Sequence, residues 1–74
     1  MAAPVVLYTK AGCPHSDAKR VELAARGVTF REVDVGEHPE AIPELLKVTR
    51  GRRIVPVVIE AGRIAIAPEG GTCF

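Results

Sequence analysis

Two side chains in this chain can act as sulfur nucleophiles, Cys13 and Cys73, and they stand near opposite ends of the sequence. Cys13 opens the segment Cys13-Pro14-His15-Ser16, which lies between a short apolar run and a stretch with helical character. A cysteine there takes the N-cap position. Its sulfur can accept hydrogen bonds from the free N–H groups of the first turn, and the helix dipole favours negative charge at that end. The thiolate is the reactive form, and a helix N-terminus lowers a thiol pKa from ~8.5 into the range ~3.5–7.5. Pro14 suits the first helical position, where its missing N–H costs nothing. Lys10, three residues earlier, adds positive charge, and a protonated His15 adds more. The other reading of Cys13 is an inert, buried small hydrophobe, but that role needs neither a following proline nor a helix start. His15 is equally readable as an exposed first-turn residue with no chemical part.

Ser16 stands where a Cys-x-x-Cys motif would place its second thiol. Chemistry at Cys13 is therefore monothiol: no internal disulfide closes within the motif, and a thiol from elsewhere must resolve any intermediate. Ser16 either hydrogen-bonds the sulfur or supports the first turn. His15 and His38 are not spaced with the cysteines in a zinc pattern, so no metal is expected.

The elements that position Cys13 follow from pattern. Val5-Val6-Leu7-Tyr8, bounded by Pro4 and Ala11-Gly12, reads as a buried strand. Pro14 to Arg26 reads as a helix with Ala18, Val21 and Ala25 inward, widened by Leu23 and Ala24, and Gly27 stops it. Val28 to Val35 alternates and reads as a second strand. After a break at residues 36–39, a helix runs from Pro39 to about Thr49. Its inward residues are Ile42, Leu45, Leu46 and Thr49, and Pro43 weakens its first turn. Gly51 ends it. Val57-Val58-Ile59 and Ile64 to Ala67 form a hairpin about Ala61-Gly62. Pro68 ends the last strand, and Glu69 to Phe74 is a short tail. The order β-α-β-α-β-β makes the first two strands parallel. It predicts an α/β domain with a four-stranded mixed sheet and a helix on each face. No repeat or linker divides residues 1–74, so a single domain is expected.

Composition bounds the function. The chain has 74 residues, 47% hydrophobic and 26% charged, with a formal net charge of +1. Such a balance implies no polyanionic partner, and nucleic acid is set aside. The basic group Lys47, Arg50, Arg52, Arg53 and the acidic stretch from Glu32 to Glu44 read as solvated faces. A domain this small buries a modest core, so its site is shallow and its substrate is small or a segment of another protein. The start of the sequence has no signal-peptide pattern, and no apolar stretch reaches membrane-spanning length. With only two cysteines, a reducing, cytoplasmic setting is expected, with no membrane partner and a monomeric state.

Leu7-Tyr8-Thr9-Lys10, Cys13-Pro14-His15-Ser16 and the later Ile54-Val55-Pro56 together resemble the glutaredoxin family of the thioredoxin superfamily. The resemblance runs from Pro4 to Gly71. It is also similar to a group of very small bacterial glutaredoxin-like proteins, some of which carry selenocysteine at the active-site position. The resemblance implies a thioredoxin-like fold and a thiol–disulfide oxidoreductase working in electron transport. Its substrates would be disulfide-containing proteins or glutathione mixed disulfides. Glutathione is the implied co-substrate, no cofactor is bound, and a reductase or small thiol donates the electrons. It further implies a cis Val55-Pro56 bond beside Cys13, with Val55 supplying backbone hydrogen bonds, and places the glycine pair Gly70-Gly71 near the site. Lys10 with Arg52 or Arg53 could hold a glycyl carboxylate; plain surface charge is the other reading of the arginines. On this placement Cys73 is a candidate resolving thiol for Cys13; an incidental terminal thiol is the alternative. Three features depart from the family: no aspartate pair follows Gly70-Gly71, the hairpin is longer, and a final helix is missing. A second implied function is an iron–sulfur carrier whose cluster is held between two protomers with glutathione. Ser16 leaves it open, and Pro14 stands where such carriers have glycine.

Overall fold

A computed structural model describes residues 5–68 and 70–74. Pro4, read as bounding the first strand, and Glu69, read as opening the tail, lie outside the described residues. The elements in chain order are β1 (Val5–Thr9), α1 (Pro14–Ala25), β2 (Phe30–Asp34), α2 (Ile42–Thr49), β3 (Ile54–Val55), β4 (Val57–Glu60), β5 (Arg63–Ile66) and β6 (Thr72–Cys73). The main sheet has the order β2-β1-β4-β5. β1 and β2 are parallel, and β1/β4 and β4/β5 are antiparallel. This is the mixed α/β fold expected from the sequence. A second ribbon, β3 against β6, was not foreseen.

Strand alternation divides the core between the two sheet faces. Val5 and Leu7 of β1 pack with Val58 and with Leu23 of α1. Tyr8 packs with Val57, with Leu45 of α2, and with Val35, Val55 and Cys13. Successive strand residues point to opposite faces, so the two helices cover opposite sides. Among the described residues, no helix is long and apolar enough to cross a membrane.

The inward face of α1 is a correction. Ser16, Lys19 and Leu23 are buried, whereas Val21 is 66% exposed and Ala18, Ala24 and Ala25 face solvent. Lys19 buries its aliphatic stem and brings Nζ to Glu22 at 3.0 Å; a polar head on an apolar stem can occupy such a position. The helix ends in a Schellman motif: Gly27 N–H donates to Ala24 O, and Val28 N–H to Leu23 O. That motif consumes Val28, so β2 starts later than the alternation suggested.

The second helix is also shorter than expected. Pro39–Ala41 forms a 3₁₀ turn, and α2 begins at Ile42. Pro43 has no N–H to donate to the Pro39 carbonyl, so a continuous α-helix from Pro39 lacks a bond in its first turn. Leu45 and Thr49 are buried, and Ile42 and Leu46 are half-buried. The β4–β5 turn has Ala61 at φ 49° and Gly62 at φ 81°, both left-handed, as a two-residue type I′ hairpin requires.

One polar network ties α1 to β2. Arg20 Nε and Nη2 donate to the Glu32 carboxylate at 2.7 and 2.6 Å, and the buried Thr9 hydroxyl donates to it at 2.9 Å. The Arg20 hydrogen bonds, chiefly, hold the Glu32 carboxyl below its ordinary range, against the opposing effect of burial. A depressed carboxyl adds stability that is complete above its unfolded pKa and is lost as pH falls through the folded one. Arg20→Ala should return the Glu32 titration toward the ordinary value. Its stability cost should be only ~0–1 kcal/mol, because both side chains are partly solvated. Carboxyl NMR titration, paired with urea denaturation, checks both.

Candidate active site

Cys13 is the N-cap residue of α1, with Pro14 at the helix start. The turn into it is closed by Cys13 N–H donating to Lys10 O at 3.2 Å. The Cys13 sulfur accepts the Ser16 backbone N–H at 3.4 Å. On its other side it lies 3.2 Å from the Thr72 hydroxyl. The residue is only 2% exposed. Val55, in the same apolar cluster, precedes a cis peptide bond to the buried Pro56.

Burial is the largest single influence on the Cys13 thiol and pushes it up. The hydroxyls of Ser16 and Thr72 and the backbone N–H groups of Ser16 and His15 together outweigh it, so the thiol lies below its ordinary value. Ser16 Oγ is buried and completes no hydrogen bond of its own. An unsatisfied buried hydroxyl is costly, and a sulfur anion gives it an acceptor. Both sequence readings of Ser16 thus meet at one place: its N–H caps the helix through the sulfur, and its hydroxyl favours the ionised form.

The remaining candidates are distributed unevenly. The exposed His15 ring lies against Gly70, where a Cβ would stand 3.2 Å from its Cε1. His15, Lys19, Pro56 and Gly70 line a small cavity of about 80 Å³. Gly71 is dictated by space: a Cβ there would sit 2.4 Å from the Val55 carbonyl oxygen. The glycine pair thereby lets the tail run against Val55. A larger hollow of about 320 Å³, lined by Tyr8, Arg31, Glu40 and Glu44 among others, includes none of the candidate catalytic or substrate-binding residues.

Geometry bears on two of the candidates. Arg53 is engaged within the chain: its Nε donates to Phe74 O at 2.9 Å, and its guanidinium lies 5.0 Å from the Phe74 ring centroid. Holding a carboxylate would cost it those contacts. Arg52 remains exposed, its carbonyl accepting the Thr49 hydroxyl at 2.7 Å. Cys73 is an exposed free thiol. It follows Thr72 on β6, and neighbouring strand side chains point to opposite faces. Since Thr72 faces the sulfur of Cys13, Cys73 faces away from it.

Thr72 is the residue the sequence reading missed. It touches the sulfur across 59 positions of sequence. The one available signal was a hydroxyl immediately after a glycine pair already placed near the site. Thr72→Val should raise the Cys13 pKa, since the thiolate loses one of the hydroxyls that hold it low. Thr72→Ser should restore it. Alkylation rate against pH reads the shift. Among the described residues, no group of three His, Cys, Asp or Glu side chains could hold a metal ion.

Comparison with known proteins places this geometry. The glutaredoxin family profile matches residues 5–64. A Gene 56 protein of Mycobacterium phage L5 is 39% identical over 57 residues, covering 77% of this chain and 54% of that protein. An N-acetyl-S-hydroxy-L-cysteine reductase of Bacillus subtilis (strain 168) is 37% identical over 59 residues, covering 80% of this chain and 61% of that protein. The matches thus span between half and two thirds of those relatives. No solved structure matches.

Proposed function

We propose that this chain, which belongs to the glutaredoxin family, reduces disulfides by a monothiol mechanism with Cys13 as the nucleophile. The family and the relative named as a reductase support a thiol oxidoreductase in general. The finer reading is carried by one observation: a free cysteine at a helix N-terminus whose thiol is held low by Ser16 and Thr72.

In the first step the Cys13 thiolate attacks one sulfur of a disulfide. A Cys13–substrate disulfide forms, the original S–S bond breaks, and the other sulfur leaves as a thiolate that takes a proton from water. A second thiol, as its thiolate, then attacks the substrate sulfur of the mixed disulfide; a disulfide forms between those two sulfurs, the bond to Cys13 breaks, and Cys13 leaves as a thiolate. Exchange is fastest when the attacking thiol has a pKa near ambient pH, and the opposing effects of burial and hydrogen bonding set that balance here. An external thiol such as glutathione fits the second step best, because Cys73 faces away from the sulfur. The name of the Bacillus subtilis relative extends the first step to an S-hydroxycysteine, a sulfenic acid: the thiolate attacks its sulfur, a mixed disulfide forms, the S–O bond breaks, and hydroxide leaves and is protonated to water. Lys10 and Arg52 are the cations left to meet a substrate carboxylate. The working compartment is a reducing one such as the cytoplasm.

The test is the pKa of Cys13, followed by thiolate absorbance in the Cys73→Ser protein. A value well below that of a free thiol is expected. An ordinary or raised value would overturn the reading. Visible absorbance after anaerobic reconstitution with iron and sulfide, without exchange activity, would replace it with cluster carriage.

A further inference from the structure

A nucleophile must meet its substrate, yet Cys13 is only 2% exposed. Part of what covers it is β6, through the Thr72 hydroxyl at 3.2 Å. β6 pairs with β3 in the register Val55↔Thr72 and Ile54↔Cys73. Phe74 N–H donates to Arg53 O at 3.1 Å, which makes Arg53 and Phe74 a hydrogen-bonded pair of that ladder. Antiparallel pairs alternate, so Val55 and Thr72 are the next such pair. The N–H and C=O of Val55 are thus turned toward the chain's own tail. The ribbon is two residues long on each side, and Thr72 and Cys73 are exposed. Ribbons that short are marginal alone. The Arg53 clamp on Phe74, one hydrogen bond and one cation–π contact, reinforces this one.

We propose that Thr72–Phe74, clamped by Arg53, is a specificity-determining strap that admits small disulfides to Cys13 and excludes disulfides carried on extended polypeptide. A small disulfide reaches the sulfur once the Thr72 side chain turns. An extended polypeptide gains affinity by adding a strand to an open edge, and at Val55 that edge is already taken. The strap must unpair first. Its unpairing also frees Cys73 to swing toward Cys13. The proposal rests on the reading of Cys13 as the exchange nucleophile.

The test compares wild type with Arg53→Ala and, independently, Phe74→Ala. The substrates are 2-hydroxyethyl disulfide and an unstructured ten-residue peptide carrying one cysteine as its mixed disulfide with 2-mercaptoethanol. Arg53→Ala removes both contacts and should raise the peptide rate by about tenfold, whereas Phe74→Ala removes the ring but keeps the main-chain carbonyl and should raise it by about threefold; each leaves the small-disulfide rate unchanged. A peptide-to-small ratio equal to wild type in both variants overturns the strap. A second readout needs no catalysis: in a Cys73→Ser background, Cys13 is alkylated by iodoacetamide and by a peptide-linked maleimide. The strap predicts that Arg53→Ala speeds the second reagent selectively. That selective gain without turnover of either disulfide would retain the strap and sink the proposed function. Equal acceleration of both reagents, or none, sinks the strap whatever the turnover.

Discussion

Cys13→Ser is expected to reduce disulfide exchange to the uncatalysed rate. A serine hydroxyl is not ionised near neutral pH and does not take the thiolate's place at a disulfide sulfur, whereas Cys13 has its ionisation prepared by four donors. The contrast is Cys73→Ser, which should keep the wild-type rate when an external thiol is supplied, because Cys73 faces away from the site. The two variants assayed side by side separate a nucleophile from an incidental thiol. Full activity in Cys13→Ser would remove the proposed chemistry. pH dependence carries the same signature. The thiol is depressed in the folded protein, so the rate rises with pH through that lowered pKa and levels off above it. By linkage, ionisation of Cys13 adds stability that is complete above the unfolded thiol value and is lost as pH falls through the folded one.

Leu45→Ala is expected to cost ~2–5 kcal/mol, the range for emptying a fully buried leucine site. A domain of this length holds only ~4–11 kcal/mol in total at ~0.05–0.15 kcal/mol per residue, so one substitution removes a large share. Leu45 is 0% exposed and shares its cluster with Cys13, Val55 and Val57. Its loss should therefore loosen the site as well as the fold. Leu7→Ala, on the opposite sheet face, should destabilise comparably while leaving the Cys13 pKa near the wild-type value. Urea midpoints and Cys13 alkylation, measured on both variants, test the distinction. Equal loss of thiol activation in the two would mean that the faces are not separable in this way.

The four-stranded mixed sheet and the helix start were legible because they rest on local chemistry. A β-rich run, a proline after a cysteine, and an Ala-Gly turn each act within a few residues. The face of α1 was not legible. Its alanines give little contrast between sides, and two of its three inward residues, Ser16 and Lys19, are polar. Ser16 is inward because the sulfur it caps is inward, and Lys19 because its stem is long. The split at Pro43 was visible as a weak point, but the 3₁₀ turn that absorbs it is a matter of which carbonyl remains available. The β3–β6 ribbon left no pattern, since two residues carry no period. The contact of Thr72 with Cys13 depends on the chain's return across the whole domain. Arg53 looked like a free cation for the same reason: its partner, Phe74, lies 21 positions away.

The sheet has two outer strands, and they are guarded differently. β2 carries Arg31, Glu32 and Asp34 along its length, so a second copy approaching that edge meets buried-charge and repulsion costs at several positions. β5 carries only Arg63 at its start, followed by Ile64-Ala65-Ile66, with Ile64 47% exposed. An outer strand with one cation and a largely apolar sequence is the weaker guard against edge-to-edge pairing. Of the two rims, β5 is therefore the one on which a second strand would meet the least charge, with Arg63 the single cation along it.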